Sequence, residues 1–165
     1  MIEAARSIPG VTAVGAARNT PMGGGPRDTP IYGPGATEFT ADNVVLTTRT
    51  YPMSPGYLEA AGTRLLAGRD ISWHDTTETP SVAIVNETFA RTMWGETPAI
   101  GQRFYISERL TEVVGVAQDG KYQTLMESPQ AAVYLPFSKS LGPRWSSWCG
   151  RGWRRARRLR RCGAR

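Results

Sequence analysis

The strongest constraint on the fold is that every apolar run is short and stopped at both ends. Residues 81–85 (Ser-Val-Ala-Ile-Val) lie between Pro80 and Asn86, and so read as a buried strand. Residues 101–106, 112–117 and 131–137 are further strand candidates, as are the β-branched stretch 43–51, the small-residue stretch 11–17 and the short stretch 65–68. Helices have little room between them. Asn86 is a good N-cap for a helix through Trp94, with Glu87 at its positive end. Phe89 and Met93, and likewise Ala90 and Trp94, share one face of that helix. Ser54-Pro55 predicts a second helix start, with Ser54 as N-cap, Tyr57, Leu58 and Ala61 as the apolar face and Gly62 as the stop. Residues 2–7 predict the last turns of a helix ending at Pro9-Gly10. Strands interleaved with short helices imply an α+β fold built on a mixed sheet.

Charge divides the chain in two. Residues 1–140 hold all 14 acidic residues against 11 basic ones, a net charge of −3, while 141–165 hold nine arginines and no acid. A mildly acidic body gives no electrostatic basis for nucleic-acid binding, which would have to come from the tail. There Trp145, Trp148 and Trp153 interleave with the arginines, a composition able to hold a polyanion or an anionic surface by charge and stacking. The same composition is what GC-rich DNA yields when read out of frame. Both cysteines, Cys149 and Cys162, lie in the tail. No stretch approaches the ~20 apolar residues of a membrane span, and the first residues lack the basic and apolar regions of a signal peptide.

Candidate chemistry is sparse. His74, the one histidine, has Asp70, Asp75 and Glu78 nearby, but no second histidine or cysteine completes a metal ligand set. A hydrolase using His74 with Asp70 or Asp75 competes with a solvated loop. Gly23-Gly24-Gly25 is followed by Pro26-Arg27-Asp28-Thr29-Pro30 rather than by Lys-Ser/Thr and a helix, so residues 19–38 read as a connection and not a phosphate loop. Ser54 lacks the Gly-x-Ser-x-Gly setting of a nucleophile elbow, and its capping role accounts for it. No catalytic, cofactor-binding or metal-ligating residue is assigned.

The order of short motifs carries more. Met53-Ser54-Pro55-Gly56-Tyr57-Leu58 is followed by Leu65-Leu66-Ala67-Gly68-Arg69-Asp70, then by Val82–Phe89 (VAIVNETF), Pro98–Phe104 and Val113–Tyr122 (VVGVAQDGKY), and closes on Val133-Tyr134-Leu135-Pro136. Ile8-Pro9-Gly10-Val11 and Asn19-Thr20-Pro21-Met22 precede it. This succession resembles the MacB-like periplasmic core domain of FtsX/MacB-type ABC-transporter permeases, and in particular the duplicated subtype without a fused ATPase. The resemblance implies a non-catalytic extracytoplasmic domain at the periplasmic face of the inner membrane. It implies no cofactor, and protein partners of an efflux or mechanotransmission system, with a separate ATPase subunit in the full-length protein. It further implies a porter-like βαβ subdomain with an inserted β-rich lobe, bounded near Ser54 and Ser140. The expected domain is 1–140, truncated at its N-terminus, with 141–165 a disordered or frameshifted tail, so that the chain is a piece of such a permease. A first strand lying ahead of Met1 in the family would leave a sheet edge open, and poor solubility is expected.

Overall fold

A computed structural model describes residues 2–19, 28–122, 124 and 126–140. Seven strands form one mixed sheet: β1 (Asp28–Tyr32), β2 (Leu46–Met53), β3 (Leu65–Gly68), β4 (Ser81–Asn86), β5 (Arg103–Ile106), β6 (Arg109–Ala117) and β7 (Ala132–Pro136). Among the described residues four short α-helices accompany them: α1 (Ile2–Arg6), α2 (Tyr57–Ala60), α3 (Glu87–Trp94) and α4 (Phe137–Ser140). The α+β expectation with a mixed sheet holds.

The sheet runs β3-β6-β4-β7-β2-β1-β5, and β5 returns to pair with β6. Six strands therefore close into a ring, and β3 lies outside it along the C-terminal half of β6. β5 occupies the other half of the same edge of β6, with Arg103 opposite Glu112 and Phe104 opposite Thr111. The two parallel pairs, β4–β6 and β2–β7, are held together by the antiparallel β4–β7 pair. β4 and β6 are linked through α3, a parallel crossover of the βαβ kind.

Apolar side chains fill both faces. On one, Ile31, Ala83, Val85, Phe104, Ile106, Val113 and Val133 pack with Phe89 of α3. Ala90, Met93 and Trp94 pack against the same cluster, so the predicted stripe on α3 is core. On the other face, Tyr51, Met53, Ile84, Ala117, Ala132 and Tyr134 pack with Leu58 of α2, Ile71 and Tyr122. Strict alternation would put Val113 and Val116 on opposite faces. A register shift opposite Ala83/Ile84 inserts one residue in β6, so Val113 and Val116 both meet the first cluster while Val114 and Ala117 meet the second.

Three local expectations differ from what forms. Residues 11–17 make no strand, touching the sheet through a bridge from Ala17 to Met53. Asp28–Tyr32 is a strand although it falls within the stretch expected to be a connection. Ser54 does not cap α2, which begins after Gly56 with no side-chain cap. The stop of α2 is as expected. Thr63 N–H donates to the Leu58 carbonyl and Gly62 N–H to that of Glu59, around Gly62 at φ +69°, a Schellman motif. The Gly23–Gly25 run and the tail at 141–165 lie outside the described residues.

The β3–β6 contact needs glycine on both sides. A Cβ at Gly68 (φ +76°) would stand 2.1 Å from the Val114 carbonyl oxygen, and one at Gly115 2.6 Å from that of Arg69. Gly68→Ala is expected to lower stability by about 3 kcal/mol or more, because backbone atoms rather than a flexible side chain must give way. Urea unfolding with an unchanged m-value would check this.

Candidate functional site

Most of the polar residues that could be proposed for chemistry are committed to holding the backbone. Asn86 is fully buried at the junction of β4 and α3. Its side-chain oxygen accepts from Phe89 N–H (3.0 Å), the expected N-cap bond, and from Ala132 N–H (2.9 Å) at the start of β7. Its amide donates to Asp119 Oδ1 and to the Gln130 carbonyl, both at 2.7 Å. All four hydrogen-bonding positions of the Asn86 amide are thereby used. Asp119 in turn accepts from Thr88 N–H at 3.0 Å and from Thr88 Oγ1 at 2.7 Å, so its carboxylate sits at the N-terminus of α3. One buried amide and one carboxylate join β4, α3, the turn after β6 and β7.

The loop around His74 is also structural. Asp75 is buried and pairs bidentately with Arg69, at 2.9 and 3.0 Å, while accepting from Ser72 N–H and Ser72 Oγ. Asp70 Oδ2 accepts from Gly56 N–H and Oδ1 from Ile71 N–H. Asp70 and Asp75, the carboxylates paired with His74 in the hydrolase reading, are thus engaged elsewhere, and His74 is exposed. Among the described residues no group of three or more His, Cys, Asp or Glu gathers as metal ligands would.

Ser54 is a fully buried tie rather than a nucleophile. Ala16 N–H donates to its Oγ (2.9 Å), Ser54 N–H donates to the Ala16 carbonyl (2.8 Å), and Arg18 N–H donates to the Pro52 carbonyl. Segment 11–17 is pinned to the end of β2 by these bonds. The local sequence suggested a cap because Ser-Pro is a common helix start; the partner at Ala16 is 38 residues away and has no local signature.

A tyrosine cluster carries no sequence signal. Tyr51, Tyr122 and Tyr134 come from β2, the turn after β6, and β7. The Tyr51 and Tyr122 rings stack at 5.2 Å and 28°, and the Tyr122 and Tyr134 hydroxyls bond each other at 2.8 Å. Burial, and then the neighbouring phenols, drive the Tyr134 pKa far up, while burial raises that of Tyr122 against its hydrogen bond to Tyr134.

The motifs fall where the packing needs them, and comparison with known families accounts for their order. The model of the MacB-like periplasmic core domain matches residues 1–157. The chain belongs to this family. Among solved structures, the MacB-type chain is similar to the periplasmic region of MacB from Actinobacillus actinomycetemcomitans, with TM-score 0.54 and 19% identity over 90% of this chain and 58% of that one. It is also similar to the extracellular domain of the noncanonic ABC-type transporter YknZ from Gram-positive bacteria, with TM-score 0.54 and 16% identity over 89% and 64% of the two chains. At these identities the likeness is one of fold. The chain spans about three fifths of the length of these structures. No curated protein matches it. No helix among the described residues is long and apolar enough to cross a membrane.

Two measurements test this account of the MacB-type framework. Asn86→Ala strips acceptors and donors from Phe89, Ala132, Gln130 and Asp119, and is expected to cost about 3 kcal/mol or more, at ~1–3 kcal/mol per orphaned buried group. Denaturant unfolding checks it. Burial alone would raise the Asp75 pKa, but the hydrogen bonds from Arg69 and Ser72 and the Arg69 charge hold it below 3.8. A depressed folded-state pKa adds stability that is present above the unfolded value and lost as pH falls through the folded one. The stability gap between wild type and Asp75→Asn should therefore be constant above about pH 5 and shrink below about pH 4, as a melting series across pH would show.

Proposed function

We propose that residues 1–140 act as a non-catalytic extracytoplasmic domain of a MacB-type ABC-transporter permease, at the periplasmic face of the inner membrane, and that the domain ends near Ser140 with 141–165 a dispensable tail. The observation that carries this is the commitment of the polar side chains that could be proposed for acid–base or nucleophilic chemistry. Asn86, Asp119, Asp75, Asp70 and Ser54 all serve backbone N–H groups or ion pairs. A catalytic centre needs a nucleophile or base free to meet substrate. A coupling domain needs instead a stiff body that passes on force and meets partners through its surface. The family match over residues 1–157 supports the extracytoplasmic-domain reading. The partners are protein components of the transport system, including a separate ATPase acting on the whole permease.

Photo-crosslinkers at the exposed positions Trp73 and Met126, placed in the permease gene of the native host, test this. Crosslinks to transporter components are expected, and products confined to cytoplasmic proteins or nucleic acid would reject it. Removal of 141–165 should leave the melting temperature of the domain unchanged within about 2 °C. A large loss would place the tail inside the fold.

A further inference from the structure

β3 ends the sheet. It pairs with β6 alone while the other six strands close on one another, so among the described residues its outer side is the one whole strand edge left open. Natural edges are commonly shielded by lysine, proline or a covering segment. β3 has none of these: Leu65, Leu66, Ala67 and Gly68 are all exposed. Leu66 is 41% exposed, and Ile100, whose side chain lies against Gly68, is 43% exposed. The edge is therefore apolar as well as open.

The backbone shows which groups face outward. The Arg64 carbonyl accepts from Gln118 N–H at 2.9 Å, and Arg69 N–H donates to the Val114 carbonyl at 2.8 Å, so residues 64 and 69 turn toward β6. Alternation along an antiparallel pair then turns the N–H and C=O groups of Leu65 and Gly68 away from β6. The register shift between Leu65 and Ala67 absorbs the odd step. A second copy laid antiparallel, about a two-fold axis between residues 66 and 67, sets each Leu65 opposite Gly68 of the other. Both outward residues then meet outward residues.

Charge favours the same direction. Arg64, at one end, is exposed and among the described residues has no acidic partner. At the other end Arg69 is neutralised by Asp75, and Asp70 brings the sum to −1 (+1 − 2). Antiparallel docking lays each Arg64 toward the negative end of the other copy, whereas a parallel one would set like ends together. Because the rest of the sheet is a ring, joining by this edge leaves no other, and the pair closes instead of growing into a fibre. We propose that the β3 edge is a self-association surface, on which two copies of this chain join antiparallel into one continuous sheet. The inference stands independently of the permease reading.

Sedimentation equilibrium of the full 165-residue chain tests it, under reductant so that Cys149 and Cys162 form no covalent links. A contact of one short strand lies well below the area of a stable complex, so a Kd of about 0.1–1 mM is expected, with monomer and dimer as the only species. Leu66→Lys places a charge on the edge and should weaken the dimer by about tenfold or more with the melting temperature unchanged. Val45→Lys, at an exposed apolar position elsewhere, should leave it intact. Monomer alone at about 1 mM, species larger than a dimer, or a dimer surviving in Leu66→Lys would each overturn the proposal. Should Leu66→Lys fail to fold, amide exchange in the wild-type chain decides: the Leu65 and Gly68 N–H groups must become slower to exchange as concentration rises.

Discussion

The Asn86 amide is the interaction on which the rest of the structure depends. β4 lies between β6 and β7, and its last residue must end the strand, start α3 and fix the entry of β7. A single buried side chain does all three, because an amide offers two donors and two acceptors in one plane. Asp119 completes the arrangement from the turn after β6, and its charge is placed where the N-terminus of α3 favours it. An isosteric apolar residue at 86 would leave several buried backbone groups unpaired at once. That cost explains why so polar a residue sits at zero exposure between two hydrophobic clusters.

From that knot the two faces of the sheet diverge. α3 covers one with Phe89 and Trp94, which meet each other edge-on and Phe104 at a tilt. α2 and the tyrosines cover the other. Cross-strand ion pairs lie on the outside, Arg49 with Asp28 across β1–β2 and Arg103 with Glu112 across β5–β6. Exposed pairs of this kind contribute little to stability, at most about 1 kcal/mol each. They mark register more than they hold it.

What could be seen in the sequence was what depends on neighbours along the chain. β4, β6 and β7 were legible because their apolar runs are continuous and bounded, and α3 because Asn86 announces its start and its stripe has helical spacing. The Gly62 stop was legible for the same reason. β1 was not, since Pro30 and its glycine-rich approach mask a strand that is made by its partners β2 and β5. Residues 11–17 have strand-like composition yet find a partner at Ala17 alone. Ser54 carried a helix-start signal that was outcompeted by a contact from Ala16. The cluster of Tyr51, Tyr122 and Tyr134 draws on three separate segments, and no local pattern foretells their meeting. The family resemblance reached further than the periodicities did, because the order of motifs records contacts that no single motif shows.

The closed ring has a consequence for how the chain comes together. Among the described residues β7 is the last strand in sequence, yet it sits in the middle of the sheet, between β4 and β2. The Thr48 hydroxyl reaches the Ala131 carbonyl across 83 residues of chain, and β2 finds its parallel neighbour only there. Until β7 is in place, β2 and β4 each keep a bare edge. Contacts so distant in sequence form late and slowly. The ring therefore cannot close before β7 docks, and that strand acts as the bolt that joins the β1–β2 side of the sheet to the β4–β6 side.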